Sequence, residues 1–169
     1  MNRILLFPAV ILLACAGTFG QGFPYQDFTR RTLNDIVTGD DREIKMSASK
    51  NMLILHADPY LSVVSVKYTG KSRSMSRAKL TLLAQWARTL GYPSDYAALY
   101  DTDFQFFEGD KEYWLPVQTK VSSYFPKELK EGDFIDVYLT RAGGVCMKAQ
   151  TCDWLYLVEE YVKPKPSTS

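Results

Sequence analysis

The sequence predicts an α+β domain: a mainly antiparallel sheet, or a partly closed small barrel, packed against one main helix over residues 76–90. Three observations carry this reading. Ile135, Val137 and Leu139 interleave with Phe134, Asp136, Tyr138 and Thr140, and Leu155 and Leu157 interleave with Trp154, Tyr156 and Val158. This period of two places successive side chains on opposite faces of a strand. One stretch has clear helical spacing, with Leu83, Trp86, Ala87 and Leu90 at i, i+3, i+4 and i+7. The connections between apolar runs are short, which favours antiparallel neighbours.

Residues 1–20 read as a signal peptide. Arg3 supplies a positive start, and Ile4 to Ala16 is an apolar run too short to span a bilayer. Ala14-Cys15-Ala16 fits a small-residue cleavage site before Gly17, and Thr18-Phe19-Gly20 offers a second before Gln21, so cleavage is expected near 14–20. Leu12-Leu13-Ala14-Cys15 also has the form of a lipobox, which would leave a lipid anchor on Cys15. About 150 residues then remain, enough for one domain.

Residues 21–42 form a polar, poorly patterned lead-in with Phe23, Tyr25 and Phe28 scattered through it, Leu33, Ile36 and Val37 spaced for a short helical turn or an extended lead-in, and Gly39-Asp40-Asp41 as a turn. Residues 43–162 form the single α+β domain. Met52 to Leu55 is a continuous apolar run, and Leu61 to Tyr68 is rich in β-branched residues, as strands are. Ser76 is an N-cap for the main helix, while Gly91 and Pro93 stop it. Phe104–Phe107 and Glu112–Val117 flank Glu108-Gly109-Asp110-Lys111, a hairpin turn. Val121, Tyr124 and Phe125 suit a short helix ended by Pro126. The C-terminal hairpin is expected to bend sharply at Gly143-Gly144, and residues 163–169 form a disordered tail. An OB-like barrel, of the oligonucleotide/oligosaccharide-binding type, is the alternative arrangement of these strands.

The whole chain carries 20 basic and 19 acidic residues, and losing Arg3 with the leader brings the two into balance. Such a balance gives no long-range steering towards nucleic acid. No transmembrane span is expected in the mature chain. Cys146 and Cys152 form a local pair, which in an exported protein favours a disulfide over a metal site. No metal or cofactor is implied, because His56 is the sole histidine.

Gly70-Lys71-Ser72 lacks the earlier glycine of a phosphate loop, where Ser65 stands instead. Asp101 to Glu112 has carboxylates spaced for a calcium loop, but its sixth position is Phe106 rather than the required glycine. Lys71, Arg73, Arg77 and Lys79 form the densest basic cluster, a weak candidate for sulfate, phosphate or an acidic head group. Cations at a helix N-terminus oppose the macrodipole, so a solvated loop is the favoured reading.

Two functional classes remain. The favoured one is an exported, periplasmic or secreted, non-catalytic binding or interaction module that recognises a protein or glycan. Its aromatic hairpin face would be Phe134, Tyr138, Trp154 and Tyr156, with Trp154 as anchor. The alternative is a small secreted hydrolase using His56 and Asp58. Burial of that aromatic face and the partner of His56 are the discriminating observations.

Overall fold

The computed structural model describes residues 22–45, 52–146 and 152–164. The signal peptide expected at 1–20, the lipobox expected at Cys15 and residues 165–169 of the expected tail lie outside these described residues. The chain folds as a mixed α+β structure with a seven-stranded sheet. Its strands are β1 (Thr29–Arg30), β2 (Met52–Leu55), β3 (Leu61–Ser74), β4 (Thr102–Glu108), β5 (Lys111–Val117), β6 (Phe134–Cys146) and β7 (Cys152–Val162). Its α-helices are α1 (Leu33–Lys45), α2 (Arg77–Thr89) and the single-turn α3 (Thr119–Ser122) and α4 (Phe125–Glu128). No helix among the described residues is long and apolar enough to cross a membrane.

The sheet runs β1-β3-β4-β5-β7-β6-β2, and β3 also pairs with β6, so the central strands close partly into a ring. Two long strands make this possible because each serves different partners along its length. Leu61 to Lys67 of β3 lie against Thr140 to Phe134 of β6, while Lys67 to Ser74 lie against β4. The exchange comes with a register shift between Tyr68 and Ser72, beside Gly70 at φ 77°. A bulge of this kind bends and twists a strand enough to leave one partner for another. On the far side, β5 meets β7 in parallel through the single pair Val117↔Val158.

Apolar side chains fill both faces of the C-terminal hairpin. Within the ring, Val64, Val66, Phe106, Leu115, Ile135, Val137, Leu139, Trp154, Tyr156 and Val158 pack with Leu33, Ile36 and Ile44 of α1. Outside it, Ala142, Leu155 and Leu157 receive Leu82, Leu83, Trp86 and Ala87 of α2. The α2 helix matches its sequence signals. Ser76 caps it by accepting from Lys79 N, and Gly91 follows at φ 75°. The β4–β5 hairpin also forms as expected, turning through Gly109 at φ 59°.

Three expectations need correction. The lead-in at 21–42 contains most of α1, a 13-residue helix buried against the sheet, so the boundary at residue 43 falls inside a helix. The basic loop from Lys71 is strand as far as Ser74. Gly143-Gly144 is not the hairpin turn: both residues lie within β6, which continues to Cys146. Their role is close approach rather than bending. A Cβ on Gly143 would stand 2.0 Å from the Ile54 carbonyl oxygen, and one on Gly144 would stand 2.6 Å from the Trp154 ring. Cys146 and Cys152 face each other directly across this hairpin, at disulfide distance.

Gly143→Ala is expected to force β2 away from β6. Chemical denaturation should show a loss of about 2–3 kcal/mol, in the range of core overpacking. Gly22→Ala, whose Cβ would meet nothing within 4 Å, serves as the neutral control.

Candidate functional site

The polar centre of the molecule lies where α1 crosses the β6–β7 hairpin. Thr32 Oγ1 accepts from Asp35 N (3.0 Å), as an N-cap does. The Glu108 carboxylate, at the end of β4, accepts from Leu33 N (2.8 Å) and Asn34 N (2.9 Å). An anion here satisfies free amides and opposes the positive end of the helix dipole. Farther along α1, Asp40 is only 3% exposed. The Tyr156 hydroxyl donates to its Oδ2 (2.6 Å), and Arg141 Nη2 stands 2.5 Å from its Oδ1. Arg141 Nη2 also reaches Glu43 (3.0 Å), and Trp154 Nε1 donates to Asp41 (3.0 Å). Burial pushes the Asp40 carboxyl above its ordinary value, against the lowering effect of Tyr156 and Arg141. Burial likewise pushes the Tyr156 hydroxyl up, and the Asp40 charge adds to it.

A cleft of about 480 Å³ opens beside this cluster, lined by residues from β1, α1 and β6 together with Tyr60. Arg31 lays its guanidinium 3.9 Å from the Tyr60 ring centroid, and Arg141 lies 5.9 Å from the same ring. The Nε donors of Arg31 and Arg141 are both buried with no hydrogen-bond partner among the described residues. Arg30, by contrast, is committed to Asp136 through a two-point pair (2.6 and 3.1 Å).

His56 makes no hydrogen bond or ion pair with Asp58, which is exposed. Its Nε2 faces Asp40 Oδ2 at 3.9 Å, too far for a hydrogen bond, and its ring lies 6.0 Å from the Trp154 ring. Burial, with the Arg141 charge, lowers the imidazole to about 4. The ring is therefore neutral at pH 7, and the contact with Asp40 is not an ion pair. It is also not one of the residues lining the cleft.

The aromatic set divides between two faces. Phe134 is 64% exposed, whereas Trp154 and Tyr156 are 7% and 2% exposed, inside the ring. Tyr138 is covered by Phe23, Tyr25 and Phe28, whose ring centroids lie 4.9–5.5 Å from it. Register explains the division. Tyr156 pairs with Arg141, which lies an odd number of positions from Tyr138, so the two tyrosines take opposite faces. Each strand's alternation is correct, but the phase between the strands is a tertiary property.

The basic cluster divides as well. Lys79 is completely buried, with Nζ 3.2 Å from Asp103 and 3.0 Å from Asp153. Arg73 shares Asp103 (3.2 Å) and stacks 4.2 Å from the Trp114 ring centroid. Lys71 and Arg77 are exposed. Burial raises Asp103, with Lys79 and Arg73 pulling it back. These charges tie α2 to β3, β4 and β7. Among the described residues, no group of three or more His, Cys, Asp or Glu is placed to hold a metal.

Sequence reasoning missed Arg31, Asp40, Tyr60 and Arg141. One signal was present: Leu33, Ile36, Val37, Asp40 and Ile44 recur at helical spacing, with an aspartate in the apolar stripe.

Trp154→Ala is expected to destabilise the fold by about 3–5 kcal/mol, as loss of a buried indole does, and denaturant titration would measure it. The pH dependence of stability follows from His56. Its folded value near 4 lies below the ordinary 6.5, so unfolding takes up a proton between them. The stabilisation is complete above 6.5 and is lost as pH falls towards 4, up to a limit of about 3 kcal/mol. The raised Asp40 carboxyl acts with the opposite sign, favouring the fold at the acid end. Denaturation midpoints between about pH 7 and about pH 4 should fall for the wild type, with a shallower slope in His56→Gln.

No protein-family model matches the chain, and no curated protein matches it.

Proposed function

We propose that the chain is an exported, non-catalytic binding module whose ligand enters the cleft between α1 and the sheet. A single observation carries this reading: two guanidinium Nε donors, on Arg31 and Arg141, are buried and unpartnered beside a cleft of about 480 Å³. Buried donors left without acceptors are costly, and a folded protein keeps few of them. The volume lies within the range of about 300–1,000 Å³ usual for small-molecule sites. The four hairpin aromatics are a poorer choice, since Phe134 alone of them is broadly exposed. A neutral imidazole set back from the cleft gives little to the hydrolase alternative with His56 and Asp58.

Export is supported by the leader at 1–20 and by the disulfide-distance pair Cys146 and Cys152. Lipid attachment at Cys15 is the anchored form of the same reading. The ring is an OB-like barrel on this proposal. In chain order its five strands β3, β4, β5, β6 and β7 pair first to second, second to third, third to fifth, fifth to fourth and fourth to first. The ligand site is argued from the cleft rather than from that topology.

A ligand-observed NMR screen of mixed metabolites and oligosaccharides, run on wild type and Gly39→Leu, tests the site. Gly39 lines the cleft, and a Cβ there touches no side chain and no other element within 4 Å. The expected result is at least one compound that saturates the wild type and not the variant. A library in which no compound distinguishes the two proteins removes the cleft as a binding site. Turnover abolished by His56→Ala would replace the module with an enzyme. Intact mass of exported material should lack the leader, and retained Met1 would refute export.

A further inference from the structure

The charges that line the cleft are mixed, and their arrangement restricts what fits. Three arginines, Arg30, Arg31 and Arg141, and three carboxylates, Asp35, Asp40 and Glu43, line it. Some of these are already satisfied. Arg30 belongs to Asp136, and Asp40 belongs to Tyr156 and Arg141. Arg31 has no carboxylate partner among the described residues and offers its guanidinium over Tyr60. Arg141 keeps an unpartnered Nε. Of the carboxylates, Asp35 is exposed, with no ion pair among the described residues, and Glu43 holds Arg141 through Oε2 alone. A simple anion here would face Asp35 and Glu43, and a simple cation would face Arg31. A molecule carrying both charges meets complementary groups of both signs.

Gly39 supplies a second, independent observation. It sits inside α1, where glycine is less favourable than alanine by about 1 kcal/mol. Its φ is not in the left-handed region, and an added Cβ would meet no side chain and no other element within 4 Å. The fold thus requires no glycine at this position. The space it leaves belongs to the cleft, one helical turn from both Asp35 and Glu43.

We propose that the cleft over Gly39 binds a small zwitterion, an amino acid or short peptide, with its carboxylate received by Arg31 and Arg141 and its ammonium by Asp35 and Glu43. This rests on the cleft being the binding site. Its volume suits a guest of that size rather than a longer chain.

Calorimetric titration of the full mature protein with the standard free amino acids, diglycine and dialanine is the test. At least one should bind saturably, and N-acetylation or C-amidation of that compound should each weaken it by about tenfold or more. Arg31→Gln should reproduce the effect of amidation without adding to it, and Asp35→Asn should do the same for acetylation. Asp35 is exposed, so its variant keeps the fold even if Arg31→Gln does not. Gly39→Ala should melt higher than wild type yet bind about tenfold more weakly. Absence of saturable binding by every member of the panel overturns the proposal, as does indifference to both acetylation and amidation. If the panel fails while an NMR compound is still lost in Gly39→Leu, the ligand class falls and the site stands. If no compound distinguishes that variant, both fall.

Discussion

The docking of α1 depends on one buried carboxylate. Asp40 lies in the apolar stripe of the helix at a position where most helices carry an aliphatic residue. A charge there is tolerable only if its hydrogen-bonding capacity is met, and Tyr156 and Arg141 meet it from two adjacent strands. Removing either partner leaves an uncompensated group in a dry environment, whereas an apolar triad of the same shape would hold the helix equally well. The polar choice fixes direction. It sets the rotation of α1 about its axis and holds Arg141 beside Tyr60, which forms the cleft.

The frame beneath this contact is set by backbone approach. Gly143 and Gly144 let the Ile54 carbonyl and the Trp154 ring come closer to β6 than any side chain would allow. Trp154 then reaches Asp41, and Tyr156, two residues on, reaches Asp40. A second polar joint, Lys79 with Asp103 and Asp153, fastens α2 on the other side. The hairpin is thus covered on both faces, and each covering helix is fixed by a buried ion pair as well as by apolar contact.

This arrangement also bears on what the site can do. The groups suited to proton transfer, His56 and Tyr156, are both held neutral by burial and are set back from solvent. The groups that line the cleft are guanidiniums and carboxylates. Fixed charges of both signs around an open volume recognise a charged guest, whereas general acid–base chemistry requires a group that titrates near working pH.

Much of the fold was legible in the sequence because its signals are local. The α2 helix carries its cap, its apolar spacing and its glycine stop within itself, and the β4–β5 hairpin carries its own turn. The alternation in β6 and β7 was equally plain. The α1 helix was not, because the partner that explains Asp40 lies 116 residues away, and an aspartate beside a glycine reads locally as a turn. Lys79 looked like one member of a solvated basic run, although its neutralising partners are on β4 and β7. The glycine pair looked like a bend because sequence shows a glycine's freedom but not the atom that will press against it. The sequence by itself determined the class of fold and most of its elements, through periodicity and capping that act over a few residues. Only the tertiary structure decided which aromatic residues face inward and which charges meet at the cleft, because strand register and helix rotation are set by contacts between residues far apart in the chain.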